Sequence, residues 1–300
     1  MVKRFLIVCI VLFLGAAFPP GCHAGATPPD SLNILLLGHS YGVDCTEHLQ
    51  ALLKEAEITN VRIGRFIKGN CSLEERWNLA FQPSVYLECA PGETKYVRRQ
   101  ATMPEIFGER PWDIVIFQTS LENEGRYETI QPWLDRLVNL VREEMLTRYG
   151  RSPELWWNCF WPISVLLEGK PEKELPTYRL SFYGGSSRKM YKAYVKTARK
   201  VVRRTAVSRI IPSGATIMAL RSSPLNEPGM KEFTRDGYHL SFGAGRYAAA
   251  CTVFESLITP RYGVSVVGNA LRLPDLVTPV TDANAEALQR AARRSVRKFR

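Results

Sequence analysis

Five short apolar runs recur along this 300-residue chain with amphipathic stretches between them, and that alternation constrains the fold more than any other feature. The runs are Asn33–Leu37, Val61–Ile67, Asp113–Phe117, Leu155–Phe160 and Ser208–Ile211. Each is short and reads as buried, as strands covered on both faces of a parallel sheet are. Thr46–Glu57, Gln131–Tyr149 and Gly185–Thr205 carry helical spacing between them, and Phe242–Ile258 supplies a further helix. This order predicts a doubly wound α/β sandwich with right-handed crossovers. Ser72–Arg110 is long for a crossover and is expected to hold a short helix near Leu73–Leu79 and an active-site loop.

In such sheets ligands bind beyond the carboxyl ends of the strands. Ser40 lies just past the first predicted strand, Gly69 past the second, and Gln118 at the end of the third, so the three are expected in one crevice. Far along the chain, Thr234-Arg235-Asp236-Gly237-Tyr238-His239-Leu240-Ser241 sets a carboxylate three residues before an imidazole. A hydroxyl is a weak nucleophile unless an imidazole takes its proton and a carboxylate holds that imidazole in the right tautomer. Ser40, His239 and Asp236 are the candidates for those jobs. The backbone N–H groups of Ser40 and Gly69 and the amide of Gln118 can supply three donors to a developing oxyanion. Taken singly, each has a plainer reading: a capping serine, a turn glycine, a strand-end hydrogen bond.

Apolar residues make up 45% of the chain and charged ones 23%, enough for one large core and too little charge for wholesale disorder. Met1-Val2-Lys3-Arg4, the apolar run Phe5–Phe18 and the close at Ala24 read as a secretory leader over 1–24, so the mature chain is expected outside the cytoplasm or in the periplasm. The run is short for a membrane span, and Pro19 and Pro20 argue against a lipidated Cys22. A catalytic domain is predicted over 25–275 and a basic helix or tail over 276–300. Of the five cysteines past the leader, an odd number that leaves at least one unpaired within the chain, Cys71 and Cys89 lie in a loop-rich stretch and could form a bridge, whereas Cys159 and Cys251 lie in apolar segments. The four histidines are scattered and no CxxC occurs, so neither a metal nor another cofactor is expected.

The net charge is +11, and nine basic residues fall between Arg188 and Arg209 with no acid among them. A solvated helix face is the simplest reading. Weak contact of this helix and the basic tail with an anionic surface is the alternative, and no specific nucleic acid is expected.

Gly38-His39-Ser40, Gly69-Asn70-Cys71-Ser72-Leu73-Glu74 and Asp236-Gly237-Tyr238-His239-Leu240-Ser241 together resemble the motifs of the SGNH/GDSL hydrolase superfamily, in a branch of secreted bacterial proteins of unassigned function. The resemblance implies a three-layer α/β/α sandwich on a mainly parallel, flavodoxin-like five-stranded sheet. It also implies a metal-independent esterase with Ser40 as nucleophile, His239 as base, Asp236 as its orienter and Gly69 as oxyanion glycine. Two residues depart from the pattern: His39 stands where Asp or Asn is usual, and Gln118 where an oxyanion asparagine is usual. The substrate expected is a small-molecule or glycan acyl ester, with acetyl favoured. The alternatives are a lipase- or thioesterase-like enzyme for longer acyl chains, and a non-catalytic glycan- or polyanion-binding protein on the same fold. His39, Asn70, Asn123 and Trp161 are candidate substrate contacts. Glu124 and Arg126 can also reach a substrate, and Trp156, Trp157 and Tyr183 either stack on a sugar ring or pack in the core.

Overall fold

The computed structural model describes residues 28–171 and 175–299; the predicted leader over 1–24 lies outside them. The five apolar runs are strands, β1 (Leu32–Gly38), β2 (Val61–Ile67), β5 (Ile114–Phe117), β6 (Glu154–Asn158) and β7 (Arg209–Ile211). All five pair in parallel, in the order β2-β1-β5-β6-β7. β1 and β5 are buried along nearly their whole length, as the Ile34–Leu37 run of β1 and the all-apolar Ile114–Phe117 of β5 require.

The sheet has seven strands rather than five, because Ser72–Arg110 is not an irregular loop. It holds β3 (Ser84–Cys89) and β4 (Val97–Ala101), which extend the sheet antiparallel beyond β2. β4 exposes Val97-Arg98-Arg99-Gln100, an edge strand kept polar against further pairing. That polarity hid it from a search for apolar runs.

Twelve helices cover the two faces of the described sheet. They are α1 (Ser40–Thr46), α2 (Leu49–Glu55), α3 (Leu73–Asn78), α4 (Met103–Glu109), α5 (Tyr127–Ile130), α6 (Trp133–Tyr149), α7 (Leu175–Ser181), α8 (Ser187–Arg204), α9 (Ser213–Arg221), α10 (Ala244–Val253), α11 (Thr259–Tyr262) and α12 (Ala285–Phe299). α1, α2, α9, α10 and α12 pack together on one side, while α6 packs with α3 and α4, and α8 with α5. Capping boxes start α3 at Ser72 with Glu75 and α4 at Thr102 with Glu105. Among the described residues no helix is long and apolar enough to cross a membrane.

The five cysteines past the leader are all free and buried, so the Cys71–Cys89 bridge that the sequence left open is absent. Cys89 pairs with Ile63 near the start of β2, whereas Cys71 follows the strand's far end at Ile67. Four strand residues separate those levels by ~13 Å, well beyond the reach of a disulfide.

Candidate active site

β1 ends at Gly38, and the chain turns directly into α1 at Ser40, six residues before the predicted helical stretch begins at Thr46. His39 caps this helix: its Nδ1 accepts from Tyr41 N at 3.4 Å, and its Nε2–H donates to the carbonyl of Thr119 at 2.9 Å. Burial pushes the His39 ionisation down to about 3, with the Thr119 bond opposing only part of the effect. The ring is therefore a neutral, fully buried strut and not a substrate contact. As the first residue of α1, Ser40 has a backbone N–H with no intrahelical acceptor.

Asp236 and His239 lie in a tight turn before α10. Asp236 Oδ1 accepts from Tyr238 N at 3.1 Å and from His239 N at 2.7 Å, and Oδ2 contacts His239 Nδ1 at 2.7 Å. Burial disfavours the Asp236 charge, but these three hydrogen bonds outweigh it and hold the carboxyl below its usual range. Gly237 sits at φ 87°, and a Cβ there would lie 2.5 Å from Leu167 Cδ1, so glycine is required twice over. His239 Nε2 then lies 2.9 Å from Ser40 Oγ. A nucleophile, an imidazole and a carboxylate from residues 199 positions apart thus form one hydrogen-bonded chain.

Behind it, Tyr41 stacks on Trp161 with ring centroids 4.4 Å apart and meets Phe160 edge-on at 5.0 Å. Trp161 donates from Nε1 to the Tyr238 carbonyl at 2.7 Å and has no exposed surface, so it supports the histidine turn instead of meeting a sugar. Trp156, Trp157 and Tyr183 are likewise buried. Glu124 has no exposed surface and so does not face the crevice; Trp157 donates to its Oε1 at 2.9 Å, and burial drives its carboxyl well above the normal range.

The expected donors divide. Gly69 is exposed in an open turn, and its N–H has no acceptor among the described residues. Gln118 is not in the opening. Strand parity puts it on the face of Leu36 and Gly38, beneath α1, where it is fully buried. Its Oε1 lies 3.5 Å from His39 N and only 2.3 Å and 2.6 Å from where Cβ atoms at Gly38 and Gly42 would be. The two glycines make the niche that holds it. Asn70, at φ 41°, is half-buried; its Oδ1 accepts from Leu121 N at 3.2 Å and its Nδ2 donates to both oxygens of Glu122. Asn123 is half-buried on the loop after β5, and Arg126 lies over the Phe182 ring at 5.2 Å.

Three further groups escaped the sequence reading. Asp44, 1% exposed on α1, accepts from Leu240 N at 2.9 Å and Arg246 Nε at 2.8 Å, and pairs with Arg235 at 3.4 Å. Buried Arg76 of α3 donates to the carbonyls of Gly38 and Phe66, which puts a positive charge under the nucleophile turn. Arg179 of α7 pairs through Nε with Glu122 at 3.4 Å. Only the Asp-x-x-His and strand-end positions had a local signal; these three act across elements. Among the described residues no group of three or more His, Cys, Asp or Glu is placed to hold a metal.

A family model described as a domain of unknown function, DUF4886, matches residues 33–292. A crystal structure of a DUF4886 family protein from Bacteroides uniformis is 25% identical, with a TM-score of 0.74 over 89% of this chain and 95% of that one. The crystal structure of an acetyl xylan esterase aligns at 11% identity and a TM-score of 0.49, over 76% of this chain and all of that one. No curated protein matches.

Proposed function

This chain belongs to the DUF4886 family, and we propose that it is an exported serine hydrolase of short acyl esters, acetyl groups on carbohydrate being the favoured class. The observation that carries the reading is the unbroken chain Ser40 Oγ–His239 Nε2–His239 Nδ1–Asp236, with contacts of 2.9 Å and 2.7 Å. In the proposed reaction His239 Nε2 takes the Ser40 proton as Oγ attacks the ester carbonyl. Asp236 fixes the tautomer and offsets the imidazolium. The N–H groups of Ser40 and Gly69 receive the oxyanion, and the Arg76 charge beneath the turn favours the same negative charge. His239 then protonates the leaving alcohol, and water repeats the sequence on the acyl-enzyme. The leader-like start over 1–24 supports export.

The test is acetyl-ester hydrolysis and fluorophosphonate labelling by the wild type, Ser40→Ala and His239→Ala. Both variants should lose hydrolysis by roughly 10³-fold or more, and Ser40→Ala should lose the label. A folded wild type that neither hydrolyses nor labels would favour the binding-protein reading.

A further inference from the structure

Arg179 of α7 reaches the loop beside the proposed oxyanion turn and adds positive charge near the Ser40–His239 pair. On one side its Nε is 3.4 Å from Glu122 Oε2, an oxygen that also accepts from Asn70 Nδ2 at 3.1 Å, next to the Gly69 turn. On the other side its charge acts on Tyr41, which follows Ser40, and on Tyr238, which precedes His239. The side chain is 15% exposed. Glu122 engages only the Nε edge, and the two terminal nitrogens have no acceptor among the described residues. A guanidinium holds a planar fork of donors that matches a carboxylate two bonds at a time. Here the open end of the fork is partly desolvated, on a side chain tied to the Glu122–Asn70 pair next to the Gly69 turn. Exposed Tyr178 and Phe182, on and just after the same helix, form an edge-to-face pair at 5.3 Å that flanks it.

Building on the hydrolase reading, we propose that Arg179 selects the substrate by binding a carboxylate carried on the ester, so that the preferred substrates are anionic acyl esters. The carboxylate can belong to the alcohol, as in an acetylated sugar acid, or to the acyl group, as in a dicarboxylic half-ester.

Two matched pairs separate these sources: O-acetylated hexuronic acid against O-acetylated hexose, and 4-nitrophenyl hemisuccinate against 4-nitrophenyl acetate. The wild type should favour the anionic member of one pair at least tenfold in kcat/KM. Arg179→Gln should erase that preference by raising KM for the anion at least tenfold more than for its neutral partner, and Arg179→Lys should restore part of it. Equal handling of both members of both pairs by the wild type overturns the proposal. So does an equal kcat loss on neutral and anionic esters in Arg179→Gln, which would place Arg179 at the reacting carbonyl. Calorimetric binding of free hexuronate and of succinate to Ser40→Ala gives a readout without turnover. Binding of either that is lost in the Ser40→Ala/Arg179→Gln double variant supports the carboxylate site even if the wild type proves no hydrolase, whereas an unchanged affinity sinks it.

Discussion

His39 shows how one substitution in a motif can change a residue's task without changing its place. Its Nε2–H serves the Thr119 carbonyl and its Nδ1 serves the Tyr41 amide, two demands that a carboxylate without a proton cannot meet together. Being buried and neutral, the ring resists protonation down to about pH 3, while in the unfolded chain it titrates near about 6.5. Between these values only the unfolded chain takes up the proton. The stability His39 protects is therefore complete above about pH 6.5 and is lost as the pH falls, at about 1.4 kcal/mol per unit. Urea unfolding of the wild type should lose about 2 kcal/mol more between pH 7 and pH 5 than His39→Gln does. Parallel losses would show that the ring is not held neutral. Gln118 and Trp161 make the matching point about legibility. Their chemical types were readable, but whether each side chain faces the crevice or the core depends on strand parity and on neighbours far away in the chain.

At the scale of elements, the site is a joint between α1 and the turn that precedes α10. Ser40 and Asp44 lie one helical turn apart on α1, and Asp44 grips Leu240, the residue after His239, together with Arg246 of α10. This clamp sets the nucleophile and the base at a fixed separation. Asp44→Ala would strand the Leu240 N–H and the Arg246 guanidinium and leave Arg235 only the Leu240 carbonyl, and should cost about 3 kcal/mol in urea unfolding. In the folded fraction fluorophosphonate labelling of Ser40 should slow, with kcat falling more than KM rises. Asp44→Asn keeps an acceptor for Leu240 N and should lose less of both. Labelling at the wild-type rate in Asp44→Ala would show that the joint holds without the clamp. Nothing in the local pattern around Asp44 distinguishes it from any polar helix residue; only the fold brings its partners in from nearly 200 residues away.

Across the whole molecule, the basic C-terminal helix is part of the packing. α12 buries Leu288, Ala291, Ala292 and Val296 against α9 and α10. Gln289 donates to Tyr247 Oη at 2.7 Å and to the Asn269 carbonyl at 2.7 Å, and accepts from Gly268 N at 2.9 Å. Removing 285–300 should lower the unfolding free energy by at least about 4 kcal/mol, from lost apolar burial and an orphaned polar cluster. An unchanged urea midpoint would make the helix an appendage. The five parallel strands, the long helices and the Ser, Asp and His of the candidate site were determined by the sequence alone, because apolar periodicity and turn chemistry are local and survive without neighbours. Tertiary structure alone decided β3 and the polar edge strand β4, the inward turn of Gln118 and Trp161, the free cysteines, and the Asp44 and Arg179 contacts. Each of these rests on which face a side chain presents and what lies opposite, and such pairings exist only once distant segments are packed together.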